Sequence, residues 1–328
     1  MVQLMVSFRG TTVPEDLLRL VQQGDVGAIC LFTFNVESPA QLRTLTQSIY
    51  DAAKSGNQPT PIIGIDQEGG QLIAIRGGAT ELPGNMALGA ARSPALAEQA
   101  GRILGRELLA MGVNMNFAPS LDVNVNPFNP VIGIRSFGDD PDQVAELGAA
   151  QIRGMQAEGV IATAKHFPGH GDTAVDSHLG VPVVAHDLPR LQEVEMAPFR
   201  RAITEDVAAI MSSHIQYDAI DPELVANISP RILTDLLRRE LGYVGLIVTD
   251  AMDMHAVASL GTDPSIRGAL NAGADLVMLG HVVDQVGLVG RMKALFNEAS
   301  IARIRHAQKK LPTQLPDLTV VGAEEHLT

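Results

Sequence analysis

The stretch Val160-Ile161-Ala162-Thr163-Ala164 is apolar along nearly its whole length, and it ends abruptly in Lys165-His166. A strand with one face in water alternates apolar and polar side chains. An unbroken apolar run is what a strand covered on both faces of a parallel sheet requires. Seven more runs of this kind occupy residues 4–8, 26–32, 61–66, 113–119, 208–214, 246–250 and 274–280. The segments between them carry helix signals. Ser38-Pro39, Ser93-Pro94, Asp140-Pro141 and Ser229-Pro230 each offer a capping side chain followed by proline at the first helical position. After Ser93 the spacing of Leu96, Ala100, Ile103, Leu104 and Leu108 predicts one buried stripe, and Ile232, Leu233, Leu236 and Leu237 do the same after Ser229. Eight β-then-α units in succession predict an α/β fold, a (β/α)8 TIM-type barrel in one domain. A doubly wound open sheet is the alternative, but no G-x-G-x-x-G turn follows the first strand and no Walker-type loop is present.

The 328 residues include 46% apolar and 19% charged side chains, enough for a large core and too apolar for a disordered chain. The net charge is -13 and no basic block stands out, which argues against nucleic acid and anionic membranes as partners. Cys30 is the only cysteine, so no disulfide forms within the chain. With no basic-then-apolar leader and no run approaching a membrane span, the expectation is a cytoplasmic protein. The absence of tryptophan disfavours a groove paved with aromatic rings for a polymer. Residues 1–310 read as the barrel. Residues 311–328, broken by Pro312 and Pro316, read as a linker-like tail or the first turn of a further element.

A barrel places its chemistry where its strands end. Here the runs end in Asp66, Lys165-His166, Ser213-His214, Thr249-Asp250 and Gly280-His281, and the fourth leads into Asp122. Two connections, residues 119–138 and 167–187, are long enough to suggest function. The second holds Asp176-Ser177-His178. An aspartate beside an imidazole orients it and favours its protonated form, giving an acid and base near neutral pH. Asp250, after so apolar a strand, reads as a rigidly held nucleophile or base. His166 and His170, with Asp172, Asp176 and His178 nearby, also offer metal-ligand types. Pro168 and Gly169 between the two histidines keep that pair off one helix face, and the first strand lacks a His-x-His pair. A barrel that only bound a ligand, without turning it over, would have no use for Asp250, Asp176 and His178.

Asp66-Gln67-Glu68-Gly69-Gly70, Lys165-His166-Phe167-Pro168-Gly169-His170-Gly171-Asp172-Thr173, Asp176-Ser177-His178 and Thr249-Asp250-Ala251-Met252 together resemble glycoside hydrolase family three. The likeness is to its β-N-acetylglucosaminidase branch, and Asn129-Pro130-Val131-Ile132-Gly133-Ile134-Arg135-Ser136-Phe137-Gly138 matches a further family stretch. The resemblance implies a retaining glycosidase that removes terminal β-linked N-acetylglucosamine, with no cofactor and no metal. Asp250 then corresponds to the nucleophile and His178 to the acid/base tuned by Asp176, where most retaining glycosidases use two carboxylates. Asp66, Arg135, Lys165 and His166 correspond to residues that grip sugar hydroxyls. The implied partner is a small carbohydrate, a muropeptide fragment among the candidates, and the implied setting is peptidoglycan recycling. A β-glucosidase of the same family is the nearest alternative, and transfer to phosphate instead of water is another. Members of the branch commonly carry arginine shortly after the DQEGG motif. Here that position holds Ala74, and Arg76 falls on a different register. The tail resembles the junction at which larger members begin a second α/β domain.

Overall fold

The computed structural model describes residues 3–174, 180–252, 261–280, 284–295 and 297–326. Each of the eight apolar runs supplies one parallel strand: β1 Leu4–Val6, β2 Ala28–Cys30, β3 Ile62–Ile65, β4 Met115–Asn116, β5 Ile161–Phe167, β6 Ala209–Ser212, β7 Leu246–Thr249 and β8 Val277–Met278. Neighbours in sequence are neighbours in the sheet, and β8 pairs with β1 through Leu4–Val277 and Met5–Met278. A parallel bridge between Val248 and Leu276 joins β7 to β8 and closes the ring. The result is a (β/α)8 barrel, as the run pattern predicted.

The continuous apolar runs follow from this closure. Successive strand residues point to opposite faces. One set, including Met5, Ala28, Cys30, Ile62, Met115 and Met211, forms one buried cluster. The alternate set, including Leu4, Ile29, Ile63, Ala162, Ile210 and Val277, forms a second with the surrounding helices. Both faces are covered, and the polar side chains that the strands carry, such as Asn116, Thr163, Ser212 and Thr249, are buried with them.

The serine and aspartate caps act as expected. Ser38 accepts the Gln41 N–H ahead of Pro39–Ser55, and Ser93 accepts the Leu96 N–H ahead of Pro94–Ala110. Asp140 accepts two N–H groups ahead of Pro141–Ala157. Ser229 Oγ accepts the Ile232 N–H at 3.2 Å ahead of Arg231–Glu240. Gly273 ends Thr262–Ala272 with a φ of 108°, a conformation that side chains with a Cβ disfavour. One stripe differs from the reading above. Leu96 is 48% exposed, whereas Ala97 is fully buried. The inward face of that helix therefore runs through Ala97, Ala100, Gly101, Leu104 and Leu108. Small residues face inward there because Pro141–Ala157 packs so close that a Cβ on Gly101 would lie 2.2 Å from the Gln151 carbonyl oxygen.

After the α-helix Glu298–Lys310, the tail lies on the barrel and forms short 3-10 turns at Leu318–Val320 and Glu324–His326. Leu311 is buried, and Leu315, Leu318 and Val321 pack against the core. Among the described residues no helix is long and apolar enough to cross a membrane.

Candidate active site

Asp66 follows β3, Lys165 and His166 lie in β5, and Asp250 follows β7, so all four sit at the carboxyl ends of their strands. Arg135 reaches the same region from the long connection after β4. Lys165 Nζ lies 2.6 Å from Asp66 Oδ1 and 2.7 Å from Glu68 Oε1. Arg135 donates two parallel bonds to Glu68, Nε to Oε2 at 3.0 Å and Nη2 to Oε1 at 2.7 Å. Three of the four residues assigned to sugar binding are thus joined, and the joint is Glu68. Sequence reasoning quoted Glu68 inside its motif and gave it no role. Burial by itself raises a carboxyl pKa, but Lys165 and then Arg135 outweigh it and hold Glu68 at about 2. Burial disfavours the Lys165 ammonium, yet Asp66 and Glu68 raise its pKa overall. Glu68 and Lys165 are almost wholly buried, while the Asp66 side chain keeps 32% of its surface. Asp66 is the most exposed member of this cluster.

His166 is held from below. Its Nδ1 faces Asp122 Oδ2 at 2.7 Å. Asp122 is fully buried and also accepts the backbone N–H groups of His166 and His170 at 3.1 and 2.7 Å, and the Ser120 hydroxyl at 2.9 Å. Burial opposes ionisation of Asp122, but His166 and these donors hold its carboxyl far below the usual range. The carboxylate therefore sets which ring nitrogen of His166 carries a proton and leaves the other for the site. His170 sits at a ring distance of 5.6 Å from His166 and pairs its Nδ1 with Thr173 Oγ1 at 2.8 Å. Burial and then the neighbouring His166 lower the His170 pKa to about 4.

Asp250 is partly open to solvent and Oδ1 accepts the Ala251 N–H at 2.7 Å. Burial disfavours its charge, but His214, His166, the Ala251 N–H and Lys165 together keep the carboxyl below its usual value. His214 is nearly buried. Its Nε2 lies 2.8 Å from the Ala251 carbonyl and its Nδ1 2.8 Å from Asn227 Nδ2. Asn227 in turn accepts from Ser212 Oγ on β6. His214 was visible in the sequence as a strand-end group. Its backing by Asn227 was not, because that contact spans a turn of unpredictable path.

Asp176, His178 and His281 lie outside the described residues. The connection that carries the first two is held near its ends, where Asp172 Oδ2 meets His186 Nε2 at 2.5 Å. Of the residues that offered metal-ligand types, His166, His170 and Asp172 lie within the described residues, and each has another partner. His166 turns to Asp122 and His170 to Thr173, while Asp172 joins His186 and Glu195 instead. Glu195 already receives two bonds from Arg190, at 2.8 and 2.9 Å. Arg76 is exposed and Ala74 buried, so the altered register after the DQEGG motif sends the arginine outward.

Comparison with known proteins identifies the family. A family model described as the N-terminal domain of glycosyl hydrolase family 3 matches residues 2–312, and the chain belongs to that family. A curated relative, β-hexosaminidase A of Pseudoalteromonas piscicida, is 37% identical over 95% of this chain and 58% of its own length. A solved β-N-acetylglucosaminidase of glycoside hydrolase family 3 from Paenibacillus sp. str. FPU-7 superposes with a TM-score of 0.92 at 38% identity, over 99% of this chain and 65% of that one. NagZ from Neisseria gonorrhoeae, solved in complex with N-trifluoroacetyl-D-glucosamine, superposes at 0.78 and 30% identity, over 94% and 97%. The chain thus spans somewhat under two thirds of the first two relatives and nearly all of the third.

Proposed function

We propose that this chain is a retaining glycosidase that releases terminal β-linked N-acetylglucosamine through a covalent glycosyl-enzyme. The observation that carries the reading is Asp250, a strand-end carboxylate kept ionised by His214, His166 and Lys165 at the edge of a fixed cluster of sugar-type ligands. In the first step an Asp250 oxygen attacks the anomeric carbon. The glycosidic bond breaks, and its electron pair leaves with an oxygen that takes a proton from His178. In the second step water attacks the same carbon, gives its proton to His178 and releases the Asp250 carboxylate. Asp176 orients and charges the imidazole. An imidazole base adds no negative charge beside the departing Asp250 carboxylate.

Asp66 accepts from sugar hydroxyls while Lys165, Arg135 and His166 donate to them, and Glu68 ties Lys165 to Arg135. Charge-assisted bonds of this kind discriminate ring stereochemistry. The N-acetyl sugar is supported by the relatives' names and by the Asp-Ser-His segment. A role in peptidoglycan turnover within the cytoplasm, with muropeptide fragments as substrates, follows from the same resemblance.

An N-acetylglucosaminide with a good leaving group and fluorine at C5, which slows both steps and keeps the C2 acetamide, tests the assignment. It should label the full chain at Asp250, and Asp250→Asn should lose both label and turnover. A label mapped to another side chain would refute the mechanism. Turnover of aryl glucosides in preference to N-acetylglucosaminides would refute the substrate, and running the panel with and without phosphate separates hydrolysis from phosphorolysis.

A further inference from the structure

Glu107 lies on the helix Pro94–Ala110 and is only 4% exposed. A buried carboxylate is costly unless it is hydrogen-bonded. Four donors converge on this one. Thr80 gives its N–H at 2.8 Å and its hydroxyl at 2.5 Å. The tail gives the Gly322 N–H at 3.0 Å and His326 Nδ1 at 2.7 Å. The fit around the tail is close. Gly322 has a φ of 67°, and a Cβ there would lie 2.5 Å from the Gly78 carbonyl oxygen.

Thr80 begins a segment that runs beneath the site. Two residues on, the Leu82 carbonyl accepts the Gly70 N–H at 2.8 Å. Gly84 packs on Gly70 so tightly that a Cβ on Gly84 would lie 3.0 Å from the Gly70 Cα. Asn85 Nδ2 donates to the Arg135 carbonyl at 2.8 Å. Gly69 and Gly70 directly follow Glu68, the joint of Arg135 and Lys165. Segment 80–85 therefore touches the backbone on both sides of the Glu68–Arg135 pair, and its outer end is fastened to the tail through Glu107.

We propose that His326 and Gly322 are positioning residues for glycoside binding, acting through Glu107 and Thr80 on the segment that sets Glu68 and Arg135. The inference rests on the sugar-binding reading of that cluster. Loss of the tail's two donors leaves Glu107 half-satisfied and Thr80 held by a carboxylate that water now contests.

The test uses the full chain with His326→Ala and His326→Asn. An asparagine amide N–H takes the place of Nδ1. With an aryl N-acetylglucosaminide, His326→Ala should raise KM by about 2- to 30-fold, the range for changes acting through a contact network, while kcat stays near wild type. Amide hydrogen exchange should quicken in segments 67–73 and 80–85, and His326→Asn should restore both readings. If His326→Ala does not accumulate folded, Thr80→Val breaks the same clasp from its other side and is read identically. Faster exchange confined to residues 311–326, or an unchanged KM, would overturn the proposal. A wild-type chain inactive on every N-acetylglucosaminide would refute the functional reading, and exchange in segments 67–73 and 80–85 would then decide the clasp.

Discussion

Glu68→Gln removes one charge and almost no volume from the most enclosed part of the site. Three bonds end on that carboxylate, two from Arg135 and one from Lys165. Both cations are themselves buried, with side-chain exposures of 12% and 2%. Asp66 remains for Lys165, but Arg135 loses its paired acceptor. Breaking a buried pair by removing one partner costs about 3–5 kcal/mol, because the other charge stays behind without compensation. At about 2–4 °C per kcal/mol for a large domain, the melting temperature should fall by about 6–20 °C. Function should suffer as well. Losing a charged hydrogen bond is worth about 1.5–3 kcal/mol, so kcat/KM on an aryl N-acetylglucosaminide should drop by about 10- to 150-fold at a temperature where the variant is folded. Thermal unfolding followed by circular dichroism and steady-state kinetics give the two numbers. A variant melting within about 2 °C of wild type would mean that the cations find other partners and that the Glu68 joint is not structural.

Three further outcomes follow from the same geometry. Asp122→Asn should lower kcat/KM by a similar factor of about 10 to 150 through loss of its charged bond to His166, and full activity in a folded variant would place His166 outside the reaction. Acidification should destabilise the protein in two windows. The unfolded chain protonates His170 below its ordinary value of 6.5 while the folded chain resists until about 4, so stability falls between those values, by about 3 kcal/mol in all. The Glu68 contribution, complete above 4.5, is lost as the pH falls toward 2. Denaturant melts across pH should show the first slope vanish in His170→Asn, and its persistence would assign the proton to another group. His178→Ala should lose about 10²–10⁴-fold with poor leaving groups, yet keep the first step with an activated phenol and show a burst as the glycosyl-enzyme accumulates. An equal loss with every leaving group, without a burst, would leave His178 a support for its loop.

The fold was legible because closure buries both strand faces, and that demand writes itself into eight uninterrupted apolar runs. Caps were legible because a serine or aspartate before proline has one physical use. Leu96 was misassigned because a helical spacing rule admits two adjacent phases. Only the neighbouring helix, packed on Gly101, shows that Ala97 and not Leu96 faces inward. In the site, residues that end a strand announced themselves, as Asp66, Lys165, His166 and Asp250 did. Asp122 was marked only as the residue into which the fourth run leads, with no partner, and Glu68 was given no role. Glu68 lies three residues past β3 and Asp122 six past β4, where no strand pattern fixes the direction of a side chain. Their partners, Arg135 and His166, come from another connection and another strand, and no local pattern records a meeting of that kind.

The pairing of the first strand with the last bears on how the molecule is made. Gln3 Nε2 donates to the Ala274 carbonyl across 271 positions of sequence. A ribosome adding roughly 5–20 residues per second delivers Leu4–Val6 some 14–54 s before the strand that completes its hydrogen bonds. Throughout that interval β1 is an open sheet edge of three buried-type residues, the kind of edge that invites pairing with another chain. Yield during synthesis is therefore governed at the amino end by how well β2 and the first helix shelter that edge, and substitutions there should show in expression well before they show in equilibrium stability.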